Sequence, residues 1–230
     1  MTQQQQTIHA AAYAGALATV RTLANSSTNL INSVDEDLRT PLHWAVSGKH
    51  IPVAEFLLEN GAAVNAQDDA GWSPLMIAAS VGSAPLTDFL IQNAADPNLP
   101  NENKQTPLFY AASKGFPDIC SLLISGGAKV NVRDKLNQTA LHRVAAKGSI
   151  PVLTLLLALE NINLDTQDRA GNAPLHIAIE NGHAEIARVL IEAGADLDLQ
   201  NEEKQLPLSL APDVHIKKFL QRIIESTQNR

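Results

Sequence analysis

Short apolar segments alternate with polar turns along the whole chain, and their spacing predicts pairs of short helices. In residues 35–67, for example, a polar turn precedes a first segment that runs from His43 to about Gly48. A second segment follows from Val53 to about Glu59, with a proline before it and a glycine after it. Proline suits the first turn of a helix, and glycine suits the left-handed residue beyond its end. We therefore interpret this stretch as two helices joined by tight turns.

The first helix of each pair opens on a recurring four-residue motif. The motif reads Thr-Pro-Leu-His at residues 40–43, and its variants begin at positions 73, 106, 139, 173 and 206. The steps are 33, 33, 33, 34 and 33 residues, and the one longer step has its extra residue near Leu159. A period of 33 residues with this motif resembles the ankyrin repeat. The resemblance implies an all-α solenoid in which each unit buries its apolar face against its neighbours.

We predict seven repeats of paired antiparallel helices with turn tips, in a single ankyrin-repeat domain over residues 1–230. Residues 1–34 form an N-terminal capping repeat and residues 201–230 a C-terminal one, in which Leu206-Pro207-Leu208 opens the last inner helix. An amphipathic final helix is predicted from Val214 to about Ile224. Lys49 stands where the other pairs have glycine, so we expect an altered turn there. The internal repeats are predicted at 35–67, 68–100, 101–133, 134–167 and 168–200.

Two sets of polar residues recur with the motif, and both point to structure rather than chemistry. An Asp or Asn stands five residues before each motif, where its side chain can accept hydrogen bonds from the backbone of a turn. These residues are Asp35, Asp68, Asn101, Asp134, Asp168 and Asn201. His43, His142 and His176 stand at the fourth motif position, and the ankyrin resemblance implies that each one ties adjacent turns together. Their spacing does not place two of them four residues apart on one helical face, as in the helical zinc motif.

Composition and charge narrow the class of function. The formal net charge of −7 argues against nucleic acid as the main partner and is compatible with a basic protein partner. Cys120 is the single cysteine, which excludes an internal disulfide, and its apolar surroundings predict a buried thiol. The first residues do not have the pattern of a signal peptide, and the longest apolar runs are too short to span a membrane. No phosphate-binding loop or nucleophile elbow is present, so we predict neither an enzyme nor a cofactor.

The candidate binding residues lie between the recurring positions, at turn tips and on the first helices. Tryptophan, tyrosine and arginine dominate the energetics of protein interfaces. Three of the four Trp and Tyr residues in the chain fall at these positions, together with several charged residues. The competing interpretation is that Trp44 and Tyr110 only pack between helices. The predicted protein-binding residues are Asp37, Arg39, Trp44, Asp69, Trp72, Tyr110, Lys114, Arg143 and Lys147.

The same residues carry a closer resemblance, to the gankyrin family. The stretch Asp37 to Ala45 is similar to the start of that family's second repeat, and Asp68 to Ser80 is similar to its third. The stretches Tyr110–Lys114 and Thr139–Gly148 continue the similarity. The resemblance implies that the acidic and Trp residues on the turns, the Arg at 39 and the Lys at 114 pair with a partner. The stretch from Ile177 to Asn181 departs from the L-x-C-x-E motif of the animal protein and looks more like a fungal-type member.

Members of the gankyrin family are assembly chaperones of the proteasome regulatory particle. The resemblance implies that this chain binds the C-terminal domain of a proteasomal AAA ATPase subunit through its concave face. It further implies a location in the cytoplasm and nucleus, and we expect a monomer when the chain is free. The alternative hypothesis is a generic ankyrin-repeat scaffold, or a kinase-inhibitor-like protein, that binds another protein through the same face.

Overall fold

The computed structural model describes residues 7–228, and all regular structure within them is helical. These residues form 13 α-helices and two short 3-10 helices, which confirms the predicted all-α class. The chain forms two compact units. The first comprises Met1–Pro107 with Leu122–Ala128, and the second comprises Leu108–Ser121 with Lys129–Arg230. The single domain and its seven repeat boundaries stay predictions.

The first unit is built from successive helix pairs. The first helices, α1, α3 and α5, pack side by side, and α2 and α4 do the same behind them. Leu42, Leu57, Leu75 and Leu90 are fully buried in this unit. The helices are α1 (Ile8–Tyr13), α2 (Leu17–Ser26), a 3-10 helix (Thr28–Asn32), α3 (Pro41–Ser47), α4 (Ile51–Glu59), α5 (Pro74–Val81) and α6 (Ala84–Gln92). The residues of α7 (Pro107–Lys114) and α8 (Pro117–Ser125) are divided between the two units.

The second unit repeats the arrangement. Helix α9 packs against α10 and α11, while α12 packs against α11 and the last helix. Leu141, Leu153, Leu156 and Leu175 fill its core. The helices are α9 (Ala140–Lys147), α10 (Ile150–Leu157), α11 (Pro174–Glu180), α12 (Ala184–Glu192), a 3-10 helix (Pro207–Leu210) and α13 (Val214–Gln228).

The end of the chain corrects two details of the prediction. The last inner segment is a single 3-10 turn rather than an α-helix. Pro212 explains this, because it disfavours the helical conformation of Ala211, whose φ and ψ are −59° and 124°. Helix α13 begins at Val214 as predicted but continues to Gln228, beyond the predicted end at Ile224.

The altered turn predicted at Lys49 is confirmed. Gly48 adopts an ordinary right-handed conformation with φ of −77°, and Lys49 takes the left-handed one with φ of 62°. The turn therefore keeps the backbone path that glycine normally supplies, but one residue later. A lysine in this region carries the steric cost of its Cβ atom.

The six recurring Asp and Asn residues fix the turns as predicted. In each turn the Oδ1 atom accepts two backbone N–H groups, from the residues two and four positions later, at 2.7–3.1 Å. In Asp68 and Asp168 the second oxygen accepts from a side chain of the preceding turn. One side chain thus shapes its own turn and holds the neighbouring one.

The three motif histidines join successive turns, as the ankyrin resemblance implied. His43 Nδ1 accepts the backbone N–H of Thr40 at 3.1 Å, so its Nε2–H donates to the carbonyl of Trp72 at 3.0 Å. His142 makes the same two bonds with Thr139 and Asn172. His176 makes them with Ala173 and Gln205. Each ring needs a neutral imidazole, because one nitrogen accepts while the other donates.

The turn tips offer a simple test of backbone strain. Lys204 has φ of 60° at the position that Gly71 and Gly171 occupy in other turns. Lys204→Gly is expected to raise the free energy of unfolding by up to about 1 kcal/mol, because relief of the left-handed strain exceeds the extra entropy of glycine. Urea unfolding followed by circular dichroism measures the change. Lys135→Gly is the matched control, since Lys135 is also exposed on a turn but has no positive φ itself and should gain nothing.

Candidate protein-binding surface

Arg39 stands at the centre of the predicted residues in the first unit. Its Nε–H donates to Asp68 Oδ2 at 3.1 Å, and its guanidinium carbon lies 5.3 Å from the centroid of the Trp44 ring. The Asp68 side chain is fully buried, whereas 36% of the Arg39 side chain is exposed. One donor is therefore committed to the fold, while Nη1 lies 4.0 Å from Asp37 Oδ2 in a solvent-exposed ion pair. The Nη groups at the exposed end of the guanidinium can still donate to an external acceptor.

Trp44 is held by hydrogen bonding as well as by packing. Its indole Nε1–H donates to Asp35 Oδ2 at 2.7 Å, and its ring meets Tyr13 edge to face at 5.6 Å. Burial by itself raises the pKa of Asp35, but hydrogen bonds from the Arg39 backbone and the Trp44 indole lower that pKa below its ordinary value. Asp35 is therefore a carboxylate at neutral pH. The tryptophan is only half-buried, so part of its ring remains available to a partner.

Trp72 completes a small cavity on the same face. The backbone N–H of Trp72 donates to Asp68, and its carbonyl accepts from His43. These two bonds fix the backbone position from which the Trp72 side chain extends. The cavity has a volume of about 190 Å³ and could take one side chain of a partner. It is lined by Arg39, His43, Trp44, Ser47, Trp72, Ile77, Ser80 and Val81. The structure thus brings three predicted residues, Arg39, Trp44 and Trp72, around one space.

The predicted acidic residues lie on adjacent turn tips. The backbone N–H of Asp69 donates to the carbonyl of Asp37 at 3.0 Å, and both residues are exposed. Between Asp37 and Arg39 stands a residue that the sequence analysis missed. Leu38 has 50% of its surface exposed and a left-handed φ of 59°. An apolar side chain at a glycine-type turn position, next to two charged candidates, is a signal that the sequence already contained.

The second unit presents a cationic group on its first helices. The guanidinium of Arg143 lies 5.3 Å from the centroid of the Phe109 ring, and Phe109 meets Tyr110 at 6.1 Å. Arg143 Nη1 donates to Gln138 Oε1 at 3.2 Å, and Gln138 in turn donates to Asp168. A neutral amide therefore stands between this arginine and the carboxylate. The Nε atom of Arg143 is buried and has no hydrogen-bond partner.

Lys114 and Lys147 occupy the last turns of α7 and α9. Both side chains are exposed, and the Cε atom of Lys147 lies 3.6 Å from the position that a Cβ atom would take on Gly115. Lys147 therefore runs past the residue that follows Lys114. Positive charge at these helix ends is favourable because the last carbonyl groups carry partial negative charge. With Arg143, the two lysines give this face of the second unit a positive charge.

The single cysteine, Cys120, is buried in α8. Burial raises the pKa of the Cys120 thiol to about 12, so this buried cysteine is not a ready nucleophile. Within residues 7–228, His, Cys, Asp and Glu side chains nowhere form a group of three or more that could hold a metal ion. The same residues contain no helix that is both long and apolar enough to cross a membrane.

Curated proteins match the chain over short stretches. Palmitoyltransferase akr1 of Schizosaccharomyces pombe is 48% identical over 56 residues, which is 24% of this chain and 9% of that protein. Human protein phosphatase 1 regulatory subunit 27 is 44% identical over 24% of this chain and 36% of its own length. The human 26S proteasome non-ATPase regulatory subunit 10 is 41% identical over 24% of each chain. Each match therefore spans well under two thirds of the relative.

Similarity to solved structures extends over nearly the whole chain. The ankyrin repeat domain of human ASB11 has a TM-score of 0.82 and 27% identity, covering 94% of this chain and 96% of that one. The ankyrin repeat domain of Bcl-3 has the same TM-score and 26% identity, covering 96% of this chain and all of the other. The family profile described as "Ankyrin repeats (3 copies)" matches residues 2–68, 63–134 and 127–201. The chain therefore belongs to the ankyrin-repeat family.

Proposed function

We propose that this chain, an ankyrin-repeat protein-interaction scaffold, acts as an assembly chaperone of the proteasome regulatory particle. It binds the C-terminal domain of a proteasomal AAA ATPase subunit through the face that carries the first helices. In this role it covers the ATPase domain and delays its docking on the proteasome core until the ATPase ring changes shape. The proposed place of action is the cytoplasm and nucleus.

The observation that carries the proposal is the cluster of Arg39, Trp44 and Trp72. A solvent-accessible arginine stacked on one tryptophan and sharing a cavity with another has the composition of an interface hot spot. Burial of Asp68 and its bond to Arg39 fix the guanidinium before a partner arrives, which lowers the entropic cost of binding. The ankyrin fold alone does not require these residue types at these positions.

Three further observations support the choice of partner. Five of the nine candidate residues stand at positions that the gankyrin resemblance assigns to partner contacts: Asp37, Arg39, Asp69, Trp72 and Lys114. One curated relative that matches part of the chain is a non-ATPase subunit of the human 26S proteasome. The charges suit a partner of mixed sign, because the first unit offers the acids Asp37 and Asp69 and the second unit offers the bases Arg143, Lys114 and Lys147. Complementary charges set the register in which a partner docks.

The test of the arginine needs a substitution that keeps the turn intact. Arg39→Glu would place a second carboxylate against the fully buried Asp68 and would disturb the fold as well as the surface. Arg39→Gln avoids this, because Gln138 already makes the corresponding bond to Asp168 at 3.1 Å. Glutamine therefore already fills the equivalent position in another turn of this protein.

We expect Arg39→Gln and Trp72→Ala each to weaken binding to the ATPase C-terminal domain by roughly 1–3 kcal/mol. The first loses a charged contact and the second loses part of the cavity that receives a partner side chain. Isothermal titration calorimetry against the C-terminal domain of each regulatory-particle ATPase measures the effect. Arg21→Gln is the matched control, since Arg21 also stacks on an aromatic ring, Phe56, but between α2 and α4.

Two outcomes separate the proposal from its alternative. Recovery of no proteasomal ATPase by affinity purification from the native cell, with no binding by any purified C-terminal domain, would overturn the chaperone role. Recovery of a different protein whose affinity falls in Arg39→Gln would support the alternative of a scaffold for another target. If an ATPase domain binds with the same affinity to Arg39→Gln and Trp72→Ala as to the unchanged chain, the binding site lies outside this cluster.

A further inference from the structure

A large open groove lies at the N-terminal end of the first unit, apart from the cavity at Trp72. It encloses about 840 Å³ between α1, the end of α2, the 3-10 helix and the turn that precedes α3. The residues that line it are Thr7, Ile8, His9, Ala10, Tyr13, Leu23, Leu30, Ser33, Val34, Asp35, Glu36 and Trp44. Its walls are mainly apolar, yet the groove is open to solvent. Nothing in the described fold fills it.

The apolar walls carry two side chains that the fold leaves unusually exposed. Tyr13 and Val34 each have 53% of their surface exposed and stand on opposite segments of the groove, in α1 and in the turn before α3. Trp44 forms the wall between them, with its ring fixed by Tyr13 and Asp35. Contiguous exposed apolar surface of this kind usually marks an interaction site.

The charge at the edge of the groove is negative. Asp35 and Glu36 are among the lining residues, and none of the described lining residues is lysine or arginine. His9 is engaged in a bond between its Nε2 and the carbonyl of Ser33 at 2.9 Å. Asp35 accepts two backbone N–H groups and the Trp44 indole, so its carboxylate is held in place rather than mobile. A fixed negative charge beside an apolar floor selects for a cation carried next to apolar groups.

We propose that this groove binds a protein segment that presents apolar side chains flanked by lysine or arginine. A small molecule suits the site less well, because ligand pockets bury most of the ligand surface and this groove is open on one side. Trp44 belongs both to this groove and to the cavity beside Trp72, so the two sites share one wall. The groove therefore adds a second binding site next to the first. Arg39 favours an acidic group of a partner, whereas the groove favours a basic one.

The inference does not depend on the identity of the partner in the proposed function. The cluster at Arg39 is tested with ATPase domains, and the groove is tested with synthetic peptides. Either one can fail while the other holds.

The probes are two fluorescein-labelled 14-residue peptides that differ only in charge. One has leucine at every third or fourth position with lysine between, and the other has glutamate for each lysine. Fluorescence polarisation is expected to give an affinity for the lysine peptide at least about tenfold above that for the glutamate peptide. Emission of Trp44, in a Trp72→Phe background that leaves it the single tryptophan, should shift to shorter wavelength on binding.

Four variants locate the binding. Val34→Ser and Glu36→Lys should each weaken the lysine peptide about fivefold, by loss of apolar contact and by reversal of charge. Leu136→Ser is the matched control for the first, since Leu136 is equally exposed at a turn tip of the second unit. Glu202→Lys is the control for the second, because Glu202 holds the corresponding place in the last turn. Both controls should stay within about twofold.

Several results would overturn the proposal. Equal affinity for the two peptides, or an affinity unchanged in both Val34→Ser and Glu36→Lys, would show that the groove does not select this kind of segment. Self-association in analytical ultracentrifugation that disappears in Val34→Ser would assign the groove to a second copy of the chain. If the peptide binds only after residues 2–6 are removed, the occupant of the groove is the N-terminal segment of the chain itself.

Discussion

Lowering the pH from 7 to 5 is expected to destabilise the folded chain strongly, because three fully buried histidines resist protonation. Burial is the main cause that lowers the pKa of His43, His142 and His176 below the ordinary value of 6.5. The backbone bonds and nearby carboxylates oppose this shift, Asp68 at His43 and Asp168 and Asp134 at His142, but burial outweighs them. Arg39 acts in the same direction as burial at His43.

The direction of the effect follows from proton linkage. Above pH 6.5 the three rings are neutral in both the folded and the unfolded chain, so they add no pH dependence. Below pH 6.5 the unfolded chain binds protons that the folded chain does not. Each histidine then lowers the free energy of unfolding by about 1.4 kcal/mol per pH unit, until the pH reaches the folded pKa. Protonation of Nδ1 would also remove the acceptor of a backbone N–H group.

Urea titrations at several pH values between 5 and 7.5 measure this slope. His142→Gln should reduce the slope by the contribution of one histidine, about a third of the effect of the three buried rings. The lowered pKa of Asp35 changes the free energy of unfolding only below about pH 4, which is outside the range of these titrations. A stability that is flat from pH 7 to pH 5 would contradict the role given to the buried rings.

Asp68→Ala is expected to be among the most destabilising single changes on the binding face. The substitution removes the acceptor of the backbone N–H groups of Ala70 and Trp72 and leaves the guanidinium of Arg39 without its buried partner. An unsatisfied buried donor costs about 1–3 kcal/mol, so the loss should exceed roughly 2 kcal/mol. The midpoint of urea unfolding should fall accordingly.

Asp68→Asn separates the turn from the ion pair. Asn101 and Asn201 show that asparagine accepts the same two backbone N–H groups in this fold, so the turn should survive. The variant places an amide NH2, which cannot accept the Arg39 Nε–H, where Oδ2 stands. It should still cost less stability than Asp68→Ala, because the two backbone bonds remain. Equal losses in the two variants would mean that the charge, rather than the backbone bonds, accounts for the stability at this turn.

Features that repeat within one period of the sequence were predicted well. The helix pairs, the turn acceptors and the histidine bonds all follow from a motif that returns every 33 or 34 residues. This is so because each repeat packs against repeats of the same kind. The altered turn at Lys49 could also be predicted, since glycine stood one place early. The short last turn was missed because the proline at 212, beyond the motif, overrides the periodic pattern.

The candidate site could be predicted only in part. The types of residue at positions 39, 44 and 72 were evident, but the bond between Arg39 and Asp68 joins residues 29 positions apart. The groove needs α1, the 3-10 helix and the turn before α3 to meet, and none of these segments is unusual by itself. The exposure of Leu38 could not be predicted from the motif, because an apolar residue usually packs inward and Leu38 is exposed by the left-handed turn.

The histidine bonds described above also bear on the order in which the chain acquires its structure. Each bond joins positions only 29 or 30 residues apart, so closing it requires the ordering of little more than one repeat. The entropy of loop closure stays small at every step, and contacts of low sequence separation favour rapid folding. Helix pairs can therefore form one after another as the chain leaves the ribosome, each on the surface offered by the pair before it.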